Sequence, residues 1–141
     1  MFAAALMAAA CSNNTTTPSS TSTTTSTTTT AATTPTTSEP FAATIGVGGS
    51  AFYSFNIAVN GTVNVTLNSV GGEGVPATVQ LGLGIGTPAG VDCSVTTSVT
   101  AAAGTSPQLT GTFGPGLFCV RVYDVGNLAA PAAFKATIAH S

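Results

Sequence analysis

The side chains able to do covalent, metal or acid–base chemistry are few and widely spaced. The 141 residues hold three cysteines, Cys11, Cys93 and Cys119, with one histidine, His140, and four acids, Glu39, Glu73, Asp92 and Asp124. Nucleophilic catalysis by Ser or Thr needs a base and a group that orients it, and His140 is the single imidazole, next to the C-terminal residue. Paired-carboxylate chemistry needs two acids within about 10 Å; Asp92 and Asp124 could approach only if Cys93 and Cys119, near which they lie, were drawn together. No Cys-x-x-Cys or His cluster provides a metal or redox centre, so no metal and no cofactor is expected. The run Gly46-Val47-Gly48-Gly49-Ser50-Ala51 fits a dinucleotide fingerprint in form, yet an alternating aromatic stretch follows where that fingerprint requires a helix and then an acid. It reads as a glycine-rich turn. The two cations, Arg121 and Lys135, cannot build the phosphate-neutralising stripe of a nucleic-acid binder. Catalysis and nucleic-acid binding are therefore both read as absent.

The elements that must hold these residues fall into three parts. Phe2 to Ala10 is a short apolar stretch that ends in Ala8-Ala9-Ala10-Cys11. It has the length of a signal h-region and the small residues of a cleavage site. This resembles the lipobox of bacterial lipoproteins, and the resemblance implies that Cys11 becomes the acylated first residue of the mature chain. Two or more acyl chains anchor stably where one alone is marginal. Ala8 stands where Leu is commonest, and no Lys or Arg precedes the apolar run, so the true start is expected upstream of Met1. Residues 1–10 are thus read as a signal segment truncated at its N-terminus. Ser12 does not carry the Asp that resembles an inner-membrane retention signal, which directs the expectation to the outer membrane or cell surface.

Residues 11–40 continue as the lipidated cysteine and a Thr/Ser-rich stretch with Pro18, Pro35 and Pro40. This composition buries too little apolar surface to offset ordering entropy, so it reads as a disordered tether. Its coil-like reach is roughly 25 to 30 Å.

From Phe41 to Ser141 the pattern has period two and is punctuated by Gly, Pro and Asn-Gly. That pattern predicts a small all-β domain, an antiparallel β-sandwich. Tyr53, Phe55 and Ile57 alternate with polar residues, and Asn60-Gly61 predicts a type I′ hairpin into Val63, Val65 and Leu67. After a loop over Gly71 to Pro76, Val79, Leu81, Leu83 and Ile85 alternate with Gln80, Gly82 and Gly84. The glycines suggest a close backbone approach or a bulge, or an exposed edge to which a partner strand adds. Further strands are expected over Ser94 to Thr100, Gln108 to Phe113, Gly116 to Tyr123 and around Phe134, Ala136 and Ile138.

The segments Phe52-Tyr53-Ser54-Phe55-Asn56-Ile57, Asn60 to Leu67, and Gly116-Leu117-Phe118-Cys119-Val120-Arg121-Val122-Tyr123 resemble the bacterial pre-peptidase C-terminal domain. The resemblance implies a jelly-roll-like sandwich with a non-catalytic accessory role on secreted proteins. Some members of that family bind calcium through acids beside the first aromatic strand and on the central strand. Here Gly48-Gly49-Ser50-Ala51 and Ala77-Thr78-Val79-Gln80 occupy those regions without a carboxylate, so calcium is not carried over.

An exported chain sits in an oxidising compartment, where Cys93 and Cys119 are expected to form a disulfide. On the strand bearing Cys119, Arg121 and Tyr123 share the cysteine's face, so Arg121 is expected outside, paired with Asp124 or Asp92. Phe52, Arg121 and Tyr123 then form either a ligand patch or an ordinary exposed face. The expected function is a non-catalytic envelope lipoprotein that displays a binding or adhesion module to an envelope glycan or protein, with the membrane as partner through its lipid. The alternative is a structural spacer in a surface assembly.

Overall fold

The computed structural model describes residues 31–141; the signal segment, Cys11 and the tether up to residue 30 lie outside the described residues. Eight strands follow one another: β1 Thr37–Ile45, β2 Ser50–Ile57, β3 Gly61–Gly71, β4 Leu81–Ala89, β5 Asp92–Ala101, β6 Leu109–Phe113, β7 Gly116–Tyr123 and β8 Ala132–His140. They form two four-stranded antiparallel sheets, ordered β1-β8-β3-β6 and β2-β7-β4-β5. The pairs nest: β1 with β8, β2 with β7, β3 with β6 and β4 with β5. The chain thus behaves as one long hairpin rolled into a sandwich, which is the jelly roll.

Period-two alternation turns Phe41 and Ile45, Phe55 and Ile57, Val63, Val65 and Leu67, and Phe134 and Ile138 into the space between the sheets. Each such side chain contributes roughly 1.5 to 3 kcal/mol by leaving water, so the alternation alone selects which face of each strand is inside. In β3 a bulge at Asn68 interrupts the register with β8 between Leu67 and Ser69. The Gln108 side chain grips Leu67 on its other side, accepting from its N–H at 2.7 Å and donating to its carbonyl at 3.2 Å.

Three sequence expectations change. The Asn60-Gly61 turn does not close a hairpin, because β2 and β3 belong to different sheets. Gly61 lacks a positive φ; it is needed for room, since a Cβ there would fall 1.6 Å from the Ser141 Oγ and 3.2 Å from the Thr33 carbonyl oxygen. Nor is the glycine-bearing strand β4 an edge. It lies between β7 and β5, and Leu81 to Gly86 are all buried. Finally, β1 begins at Thr37, ahead of the boundary expected at Phe41, and Pro40 sits within it opposite Thr137. Backbone pairing needs no apolar side chains, so the Thr/Ser composition concealed this strand's first half.

Just before β1, the chain is stitched into the first sheet. Thr33 donates its N–H to the Asn60 carbonyl and accepts from Thr62 N–H, both at 3.0 Å, and Thr36 N–H donates to the His140 carbonyl at 3.0 Å. The chain therefore enters at the end of the sandwich that holds the loops 58–60, 90–91 and 114–115. The loops 46–49, 72–80, 102–108 and 124–131 gather toward the opposite end.

Candidate functional site

The outward row of β7 carries Cys119, Arg121 and Tyr123, and Phe52 lies directly across from Arg121 on β2. The three residues proposed as a patch therefore meet on the outer face of the second sheet. The Arg121 guanidinium lies 5.8 Å from the centre of the Tyr123 ring, within the range of a cation–π contact. One of its nitrogens donates to Ser50 Oγ at 3.0 Å, and another stands 3.6 Å from an Asp92 carboxylate oxygen. Its Nε is buried and meets no acceptor. The expected pairing with an acid is thus made by Asp92. That pair is loose and exposed, with the Arg121 side chain 32% and Asp92 55% accessible, so it adds little stability and leaves a partly compensated cation beside the Tyr123 ring, on the strand position opposite Phe52.

Asp124 does different work. Its carboxylate accepts from the amides of Gly48 at 2.8 Å, Gly126 and Asn127 at 2.9 Å, and Leu128 at 3.1 Å. These donors, Gly48 first, hold its pKa below the usual aspartate value. It fastens the loop 124–131 to the loop 46–49. Asp92 and Asp124 thus have different partners, the Arg121 guanidinium for the first and four loop amides for the second.

The patch owes its shape to β4. The Tyr123 ring lies over Gly82, and Val95 folds over Gly84; a Cβ at either glycine would come within 2.2 and 2.6 Å of those side chains. At Gly86 the β5 backbone itself passes overhead, with Ser94 O 1.8 Å from where a Cβ would stand. A register shift between Ile85 and Gly86 accompanies that crossing. The close backbone approach or bulge expected at Gly82 and Gly84 is thus found two residues further on, at Gly86, whereas Gly82 and Gly84 are covered by side chains. The crossing carries the start of β5 toward β7, where Cys93 and Cys119 form a disulfide with their Cα atoms 5.9 Å apart. The same crossing sets Asp92, next to Cys93, against Arg121.

A second cluster was not foreseen. Glu39 on β1 accepts from the Tyr53 hydroxyl on β2 and lies 2.8 Å from His140 Nε2 on β8. His140 is only 4% exposed, and its ring packs on Phe55 with 5.0 Å between centres. The hydroxyl and then the imidazole hold the Glu39 carboxyl below the ordinary glutamate pKa, while donation to Glu39 raises that of Tyr53. One imidazole nitrogen faces a carboxylate and the other the Ser141 carbonyl oxygen, so the ring serves as a link between strands. Its signal was present in the sequence: Glu39 has the parity of Phe41, Tyr53 that of Phe55, and His140 that of Ile138. On the far side of the sandwich, Lys135 is the single charged residue lining a shallow depression of about 520 Å³ among small residues such as Ala42, Thr44 and Ser69.

No protein-family model matches the chain, and no curated protein matches it. Among the described residues no group of three or more His, Cys, Asp or Glu could hold a metal ion, and no helix is long and apolar enough to cross a membrane.

Proposed function

We propose that this protein is a non-catalytic cell-envelope lipoprotein that holds a binding or adhesion jelly roll on a Thr/Ser tether. Cys11 carries the lipid, and Phe52, Arg121 and Tyr123 form the contact surface for an envelope glycan or protein. The single observation carrying the binding role is the convergence of an incompletely paired arginine and two aromatic side chains on one open sheet face. Aromatic and arginine side chains supply most hot spots of recognition surfaces. The resemblance to pre-peptidase C-terminal modules supports a non-catalytic accessory role, and the disulfide fits an oxidising compartment.

Intact-mass analysis of membrane-extracted protein tests the anchor. The expected species begins at an acylated Cys11 and contains the Cys93–Cys119 bond; recovery from the aqueous fraction with the leader intact would overturn this reading. For the contact surface, glycan arrays and pull-downs from envelope extracts are expected to give a signal that Arg121→Gln lowers at least about tenfold, the equivalent of roughly 1.4 kcal/mol. Signal absent from both assays sinks the binding role.

A further inference from the structure

A sheet of finite width has two edges, and each leaves backbone N–H and C=O groups without strand partners unless something guards it. The sandwich has four such edges, and three are guarded. β1 contains Glu39 and Pro40, and β2 lies beside β1, joined to it by the Tyr53–Glu39 hydrogen bond. β6 is only five residues long. The fourth, β5, runs from Asp92 to Ala101 and pairs with β4 on one side alone. From Cys93 to Ala101 it contains no charge and no proline. Its one irregularity is the register shift at Thr96, whose hydroxyl bonds the Ile85 carbonyl. Beyond that point Thr97, Ser98 and Thr100 are exposed, while Val99 faces the core.

From this comparison we infer that Thr97–Ala101 is a self-pairing edge, along which a second copy of this chain adds its own β5 antiparallel. Three observations suit a second copy as that added strand. The segment is uncharged, so two copies meet without repulsion. Its Thr-Ser-Val-Thr composition is rich in β-branched residues, which suit a pleated strand. Antiparallel pairing of identical segments also satisfies a two-fold axis, the commonest symmetry of soluble oligomers. The product is one continuous eight-stranded sheet built from two copies of β2-β7-β4-β5. Both Arg121 surfaces then lie on the same face of that sheet, a bivalent arrangement in which weak contacts reinforce one another.

The test is sedimentation of the full chain, expressed without acylation, from low micromolar to millimolar concentration. The expected result is a monomer that becomes a dimer as concentration rises, with hydrogen-exchange protection gained at Thr97–Ala101. Replacing Ser98 and Thr100 together by Lys puts like charges across the two-fold axis at exposed positions that the fold does not need. This variant is expected to weaken dimerisation at least about tenfold, with partial recovery in high salt as the charges are screened. The idea is overturned by a monomer at every concentration, by protection that appears on β1 or β6 instead, or by a lysine variant that pairs as tightly as the original. A chain that stays monomeric but gains protection at this segment on adding envelope extract also overturns it, in favour of a foreign partner. Arg121→Gln is expected to leave dimerisation unchanged. A parent chain that dimerises but gives no signal with envelope glycans or proteins would therefore count against the proposed function alone.

Discussion

Glu39 is the residue at which one substitution reaches furthest. Its carboxylate joins β1 and β8 of one sheet to β2 of the other through His140 and Tyr53. A buried hydrogen bond left half made costs about 1 to 3 kcal/mol. Glu39→Gln is therefore expected to lose about 1 to 2 kcal/mol at neutral pH, in the lower half of that range because the carboxylate keeps some solvent. The effect on acid stability has a definite sign. The folded pKa of Glu39 is lowered, so its contribution is complete above the carboxyl's unfolded value and disappears as pH falls through the folded one. Urea midpoints taken stepwise into acid should fall less steeply in this pH window for Glu39→Gln than for the parent. Asp124, lowered by the Gly48 amide and its neighbours, is expected to give a second acid-sensitive step, visible as faster hydrogen exchange in loops 46–49 and 124–131. The facing of Tyr53 and His140 follows the parity of Phe55 and Ile138, but Glu39 lay in a stretch read as tether, and the meeting of the three was not legible. They come from three strands of two sheets, and no local pattern specifies which strands become neighbours.

At the scale of the element, β4 shows most plainly how much the sequence conveys. Alternating Leu81, Leu83 and Ile85 located the strand, and the interleaved Gly82 and Gly84 pointed to a close backbone approach or a bulge, which occurs at the next glycine, Gly86. The same glycines misled about position, because a bare outer face looks identical on an edge and in the centre. Asn60-Gly61 misled for the same reason: a turn signal marks reversal of the chain but does not say whether the next strand stays in the sheet. Gly86→Ala forces a Cβ into the Ser94 backbone, which has no rotamer by which to escape. It is expected to cost about 1 to 3 kcal/mol, measurable by urea unfolding under oxidising conditions. Removing the disulfide with Cys93→Ala and Cys119→Ala should cost about 3.5 kcal/mol, given the sequence separation of 26. Because Gly86 is what lets β5 cross, adding reductant should narrow the gap between Gly86→Ala and the parent.

For the whole molecule, the two-sheet sandwich and its disulfide were readable, whereas the N-terminal limit of the domain was displaced. Thr33 to Pro40 looks like tether by composition but is held by backbone bonds and by Glu39. A chain begun at Phe41 lacks the pairs of Thr37, Ser38, Glu39 and Pro40 with β8. It is expected to melt several degrees below a chain begun at Ala31, since about 1 kcal/mol moves the midpoint by roughly 4 to 8 °C in a domain of this size. Thermal melts followed by far-ultraviolet circular dichroism would check this, and equal midpoints would show that the first half of β1 is dispensable.

The nested pairing also sets an order in time. β4 and β5 are close in sequence and pair cheaply, whereas β1 must wait for β8, residue 37 for residue 140. As the polypeptide emerges N-terminus first from a ribosome or a translocation channel, the first two strands have no sheet to join until the last two arrive. Closure is therefore late and all at once, and the nascent domain stays threadable until its final strand is free.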